Sequence, residues 1–206
     1  MARTHGGLFS LNASGSVAHT ITFSRWKGRQ YVRETVTPHN PRSGLQVGMR
    51  AVLKFTSQLW STLNPTKQNT WSSKAKSMKV SPFNAYVGAN QSRARLNQGL
   101  TEVDPPVSAS AEAAPTGGAA AAEVKSLNVS WTDSVGANDA GTFVYMSTTT
   151  GFTPDISNLI AVVPHGLQKL TVSKLITGTP YYFRIAGTDN EGNMGTLAAQ
   201  FTGTPT

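Results

Sequence analysis

The period of the apolar pattern changes once along this chain, and that change limits the folds open to it. From Ser43 to Gly99 apolar residues recur at helical spacing; from Lys125 onward they alternate. "SGLQVGMRAVLKFTSQLWSTL" sets Val52, Phe55, Leu59 and Leu63 on one stripe, with Ser43 placed as the N-cap. "NPTKQNTWSSKAKSM" opens on Asn64 as cap and Pro65 at the first helical position, and its Trp71, Ala75 and Met78 share a face. "SPFNAYVGANQSRARLNQG" repeats the device with Ser81 and Pro82. Its apolar face is Phe83, Tyr86, Val87 and Ala94, and Gly99 is placed to end it. The spacing predicts three short helices. Trp60, Trp71, Phe83 and Tyr86 fall on their inner faces, which makes them core residues, joined by Val32, Phe55 and Leu59.

The alternating half consists of short runs broken by Gly, Asn, Asp and Pro. "KSLNVSW" puts Leu127, Val129 and Trp131 on one side, "GTFVYMS", "NLIAVV" and "LTVSKL" follow, and "YYFRIAG" turns Tyr181, Phe183 and Ile185 inward. Strands at this spacing predict an all-β sandwich. Ahead of the helices, "GSVAHTITFS" places Val17, His19, Ile21 and Phe23 on one face, and "RQYVRETVTP" alternates again. Between them "RWKGR" supplies a tight loop with a glycine, which predicts a β-hairpin with Trp26 near its tip.

Charge divides the chain in the same place. The first 100 residues hold 14 Lys or Arg against one acid, Glu34; the remainder hold 4 against 9 acids. Such asymmetry marks two modules with different surroundings. The composition shifts within "TEVDPPVSASAEAAPTGGAAAAEV", rich in Ala, Pro, Gly and Ser. The expected organisation is therefore α+β: a basic module over 1–104, made of a hairpin and three short helices, then a sandwich over 105–206. Residues 105–123 form either a linker or a first edge strand, at "VSASAEA".

Two resemblances refine this. "LITGTPYYFRIAGTDNEGNMG" resembles the end of a fibronectin type III domain, carried by Leu175, Gly178-Thr179, Tyr181, Phe183, Ile185 and Gly192. The resemblance implies that Tyr181 is the tyrosine corner, its hydroxyl bonded back to nearby backbone, and that Trp131 is the core Trp of the second strand. "FTGTPT" matches the closing strand, whereas Gly187 and Thr177 depart from the family's usual Ala and Pro. Such a fold implies a spacer, adhesive module or binding platform without choosing among them. The stretch from Ser14 to Leu100, with "WKGRQYVR", "NPRS", two Trp-bearing helices and "SPFNAYV", is similar to uncharacterised bacteriophage structural proteins. That similarity implies a virion component, made in the host cytoplasm, with other virion proteins (capsid, portal or neck, tail) as partners in a multicopy symmetric assembly.

Catalytic chemistry is not legible. There is no Cys, so no thiolate nucleophile, disulfide or Cys-ligated zinc. His5, His19, His39 and His165 lie in unrelated contexts, without metal-ligand spacing. The "HGG" at His5 lacks a serine elbow, no phosphate-binding loop occurs, and the basic half has one carboxylate where glycoside hydrolysis needs two. Asp133 and Asp139 are expected as turn formers. No apolar run approaches the roughly 18 residues of a membrane span, and the N-terminus has no continuous apolar stretch of the signal-peptide kind. The expectation is a non-enzymatic protein with no cofactor, no metal and no membrane partner.

The cations of the hairpin and its exit loop are the candidate partner-binding residues: Arg25, Trp26, Lys27, Arg29, Tyr31, Arg33 and Arg42. They suit an acidic protein surface, with packaged DNA as a second polyanion, and Trp26 as an apolar anchor. Two alternatives stand beside the virion reading: a nucleic-acid-binding protein using the same cations, and a host-surface adhesin.

Overall fold

The computed structural model describes residues 15–17, 20–26, 29–36, 40–107, 113–134 and 139–206, apart from the side chains of Trp26, Gln30 and Asp139. The chain divides into two compact units, Met1–Pro41 and Arg42–Thr206. The division falls ahead of the helices, not at 104/105 where the composition breaks, because the helices share a core with the sandwich.

The first unit holds β1 (Gly15–Val17), β2 (Ile21–Trp26) and β3 (Arg29–Glu34), an antiparallel sheet in chain order. The expected hairpin is β2–β3. The stretch ahead of it is not one strand but two, since the Thr20 amide and hydroxyl both donate to the Val17 carbonyl, at 3.0 and 3.1 Å, and close a turn. Val17 pairs with Ile21 across that turn, so the two still share a face.

The second unit opens with α1 (Gly44–Thr62), α2 (Pro65–Thr70), α3 (Ser72–Met78) and α4 (Pro82–Arg95). Two predicted caps are made: Asn64 Oδ1 accepts from the Lys67 amide at 2.9 Å, and Ser81 Oγ from the Asn84 amide at 3.2 Å. Ser43 occupies the cap position of α1 without a side-chain bond. The second predicted helix is broken at Trp71 into α2 and α3. Trp71 and Ala75 are buried, whereas Met78 is exposed. The end of α4 comes earlier than Gly99. Asn97 takes the left-handed position at φ 51°. The Gln98 and Asn97 amides then donate to Arg93 and Ala94 carbonyls at 3.0 and 3.2 Å, a Schellman closure. Gly99 serves close approach instead: a Cβ there would lie 2.1 Å from the Asn193 carbonyl oxygen. Leu63, Trp71, Ala75, Ala85, Tyr86 and Val87, with Trp60 and Phe83, make the helical core. Val32 is not among them; it belongs to the other unit and is exposed.

The strands β4 (Thr116–Glu123), β5 (Ser126–Thr132), β6 (Asp139–Ser147), β7 (Leu159–Pro164), β8 (Lys169–Ser173), β9 (Tyr181–Asp189) and β10 (Phe201–Gly203) form two sheets, β10-β9-β6-β7 and β4-β5-β8. An edge strand does precede β5, at β4 within 105–123; most of "VSASAEA" lies outside the described residues. Leu127, Val129, Trp131, Val144, Tyr181, Phe183 and Ile185 fill the space between the sheets. The Tyr181 hydroxyl accepts from the Ile176 amide at 3.1 Å, the bond a tyrosine corner requires.

The outer face of the four-stranded sheet is also apolar. Phe143, Tyr145 and Leu159 pack there with Val52 and Phe55 of α1, Ala94 of α4 and Leu100. Each fully buried side chain of this size is worth about 1.5–3 kcal/mol. Gly44 and Gly48, one turn apart on α1, let the helix close on this layer: a Cβ at either would stand 2.1 Å from the Ser157 or Ile156 carbonyl oxygen. The unit thus has three layers, helices on sheet on sheet. No helix among the described residues is long and apolar enough to cross a membrane.

Candidate partner-binding surface

Strand register decides which cations can act together. In β2–β3 the opposed pairs are Ile21–Glu34, Thr22–Arg33, Phe23–Val32, Ser24–Tyr31, Arg25–Gln30 and Trp26–Arg29. Opposed residues share a face and neighbours along a strand do not. One face therefore carries Arg29, Tyr31 and Arg33 of β3 opposite Ser24 and Thr22, with Ser16 of β1 opposite Thr22. Arg29, Tyr31 and Arg33 are all exposed. No carboxylate occurs among the described residues of that face. Alternate residues on a strand stand about 6.7 Å apart, so Arg29 and Arg33 flank Tyr31 along β3 at about that backbone interval. The Thr22 and Thr35 hydroxyls, 2.8 Å apart, tie the strand end behind them.

The other face carries Val17, Ile21, Phe23 and Val32, with Arg25 at the hairpin end and Glu34 at the open end. Arg25 is thus separated from Arg29 and Arg33, although all three read as one cluster in the sequence. The strict alternation of Ile21 to Trp26 and of Arg29 to Glu34 carried this separation. Lys27 and the Trp26 side chain lie outside the described residues, as do His5, His19 and His39. Arg42 falls in the second unit, exposed at φ 50° just before α1.

The ionisable groups of the second unit mostly fasten loops. Asp133, expected as a turn former, is buried. Its Oδ1 accepts from the Trp131 indole at 2.8 Å and the Thr142 hydroxyl at 3.1 Å, and its Oδ2 from the Gly166 amide at 2.8 Å. His165 Nδ1 stands 3.4 Å from the same oxygen. Burial works to raise the Asp133 carboxyl. The donors at Gly166, Trp131 and Thr142, with the His165 charge, outweigh it and hold the group below the usual carboxylate range. These bonds clip β5, β6 and the β7–β8 turn together.

Asp189, also buried, accepts from the Glu191, Gly192 and Asn193 amides at 3.0, 2.8 and 2.7 Å and from Asn193 Nδ2 at 2.7 Å. This holds the loop that meets the end of the helical layer. There Arg93 Nε donates to the Gly99 carbonyl at 2.7 Å and its Nη2 to that of Gly192. Burial lowers the Arg93 guanidinium, and the Asp189 carboxylate works against that. Lys67 pairs with Glu102, and Lys74 with Asp104 at 3.0 Å.

Two hollows open on the second unit. One of about 570 Å³ lies among Trp71, Lys74, Met78, Arg93 and Asp104. One of about 730 Å³ lies between α1 and the β7–β8 edge, with Lys54 and Lys169 at its sides. Among the described residues no group of three or more His, Asp or Glu is placed to hold a metal ion.

No family model matches the chain, and no curated protein matches it. Among solved structures, an Fn3-like protein from Clostridium thermocellum aligns at 24% identity and a TM-score of 0.39, over 47% of this chain and 96% of that one. The fn3 domain of human collagen alpha-1(XX) chain aligns at 22% identity and 0.39, over 48% and 90%. A β-1,2-glucanase from Parabacteroides distasonis aligns at 19% identity and 0.41, over 50% of this chain but only 14% of the glucanase. The C-terminal half is a fibronectin type III-like sandwich, carried here by its two-sheet strand order, the Trp131 and Tyr181 core and the tyrosine corner.

Proposed function

We propose that this chain is a non-enzymatic bacteriophage virion structural protein, a decoration, neck or tail accessory component. The basic N-terminal sheet docks on the particle, and the helix-backed sandwich is displayed from it. The observation that carries the reading is the Arg29–Tyr31–Arg33 face. It is cationic and exposed, has no acid among its described residues, and sits on a unit separate from the rest of the chain. Arginine flanking an aromatic side chain is the composition that dominates interface energies, and a face of one sign selects an acidic partner and steers its approach. The particle setting rests on the similarity of residues 14–100 to bacteriophage structural proteins. Reversing Arg29 and Arg33 to Glu should abolish incorporation of the full chain into particles, scored by the protein's presence in purified virions. Normal incorporation of the double variant would defeat the docking role.

The same face favours one other reading. A phenol between two guanidiniums on one strand could stack on a base while the cations meet phosphates. In that case the full chain binds single-stranded DNA, and the double reversal lowers the logarithmic salt slope by about 1.4.

A further inference from the structure

We infer that β7 is an open docking edge, and that the groove along it takes an extended acidic segment of a partner protein as an added strand. The inference lies wholly within the second unit and rests neither on the particle setting nor on the N-terminal sheet. The hollow of about 730 Å³ beside α1 has β7 as its floor, at Ile160, Ala161, Val162 and Val163, and α1 and β8 as its walls. β7 ends the four-stranded sheet and β8 ends the three-stranded one, so no strand among the described residues pairs with either on this side. The register of β6 and β7 decides what the floor offers. Thr142 lies opposite Val163 and Phe143 opposite Val162, and the His165 amide donates to the Ala140 carbonyl at 3.1 Å. Antiparallel pairs alternate between bonded and non-bonded, so His165, Val163 and Ala161 turn their backbone groups to β6. Val162 turns its amide and carbonyl the other way, into the groove.

Walls and charge identify the occupant. Free edges are ordinarily blunted by charged side chains, and Leu159–Pro164 carries none. The protection comes from the walls instead. Because β7 lies between α1 and β8, the same edge of a second copy is recessed in the same way and cannot reach it, whereas a single extended segment can. Lys54 on the α1 side and Lys169 on the β8 side are both exposed, and neither is paired with an acid among the described residues. No carboxylate lines the hollow. Its complement is a segment about as long as β7, six residues, apolar or β-branched in the middle and carrying Asp or Glu beside the two lysines. Strand addition of this kind takes its affinity from main-chain hydrogen bonds and its specificity from the side chains that line the edge.

The test uses the full chain and a pool of fluorescent heptapeptides with Asp or Glu at both ends and Val, Ile, Thr or Ser between. A second pool has Lys at both ends. Fluorescence anisotropy should show binding of the acid-flanked pool and not of the other. At saturation, hydrogen exchange at the Val162 amide should slow at least about tenfold. Lys54→Glu with Lys169→Glu should weaken binding at least about tenfold. Val162→Pro should abolish binding and leave the β6 ladder intact, since that amide donates nothing to β6. Acid-flanked peptides N-methylated at alternate residues leave the protein unchanged: one alternate set should lose binding and the other keep it. The inference fails if neither pool binds at about millimolar concentration, if the Lys-flanked pool binds as well, if charge reversal leaves affinity unchanged, or if both methylated sets bind. A Val162 amide already slow to exchange in the free chain would mean that the chain covers its own edge. A dimer dissociated by Val162→Pro would put a second copy there; either result also overturns the inference. Arg29 and Arg33 are untouched throughout, so failure here leaves the docking role of the N-terminal sheet standing.

Discussion

Tyr181 and Tyr86 are both buried, but their hydroxyls differ. That of Tyr181 accepts from the Ile176 amide, whereas that of Tyr86 has no hydrogen-bond partner among the described residues. Burial, with Glu102 adding to it, pushes the Tyr86 phenol far above its ordinary range, so it stays neutral. Removing a satisfied buried partner costs about 1 kcal/mol, while removing an unsatisfied polar group costs nothing or stabilises. Urea unfolding of the full chain should therefore show Tyr181→Phe about 1 kcal/mol less stable and Tyr86→Phe equal to or above wild type. Equal losses in the two variants would contradict these assignments. Asp133 gives a pH dependence of defined sign. Its folded carboxyl titrates below the usual range near 4, so it adds stability that is fully present above that value and fades as pH falls through the folded one. Asp133→Asn should lower the unfolding temperature at pH 7, and the gap to wild type should narrow below about pH 4. A gap constant down to strong acid would mean that the carboxylate charge is not what clips the strands.

At the scale of the element, two glycines, one in the middle of α4 and one just past its end, separate propensity from packing. Gly88 lies inside the helix with open space where a Cβ would go; a Cβ at Gly99 would strike the Asn193 carbonyl at 2.1 Å. Gly88→Ala should thus stabilise by about 0.5–1 kcal/mol, and Gly99→Ala should destabilise by about 1–3 kcal/mol, both measured by chemical unfolding. The same helix shows what sequence could and could not supply. Ser81 and Asn64 were legible as caps because a cap bonds to an amide three residues away. Asn97 as the left-handed terminator was hidden by Gly99, whose actual constraint comes from a loop nearly a hundred residues distant. The turn at Thr20 was hidden because Val17 and Ile21 keep the same parity with or without it. Of the candidate site, the residue types were legible, and strand parity held the means to separate Arg25 from Arg29 and Arg33.

Across the whole molecule, composition and compactness divide the chain at different places. Charge and residue types change near 101–124, yet the compact units separate at Pro41, because Val52, Phe55, Ala94 and Leu100 complete a core whose other half is Phe143, Tyr145, Phe152 and Leu159. That core was not legible because each half, taken alone, reads as an amphipathic element with a free apolar face, and only the tertiary fold joins them. A consequence follows for dissection. A fragment of residues 105–206 keeps every sandwich strand but bares the outer face of β6 and β7. A fragment of residues 42–206 keeps it covered. The covered side chains are worth about 1.5–3 kcal/mol each when fully buried, so losing the helices should cost the sandwich about 3 kcal/mol or more. The longer fragment should unfold in one cooperative transition at the full chain's denaturant midpoint. The shorter one should show a lower midpoint, bind a hydrophobic dye and tend to associate through the bared face. Val52→Asp in the longer fragment should move it toward the same behaviour, since a charge buried at that contact forces the layers apart. If residues 105–206 unfold at the same midpoint as residues 42–206 and bind no dye, the helices lend the sandwich no stability. The layers would then be neighbours that merely touch.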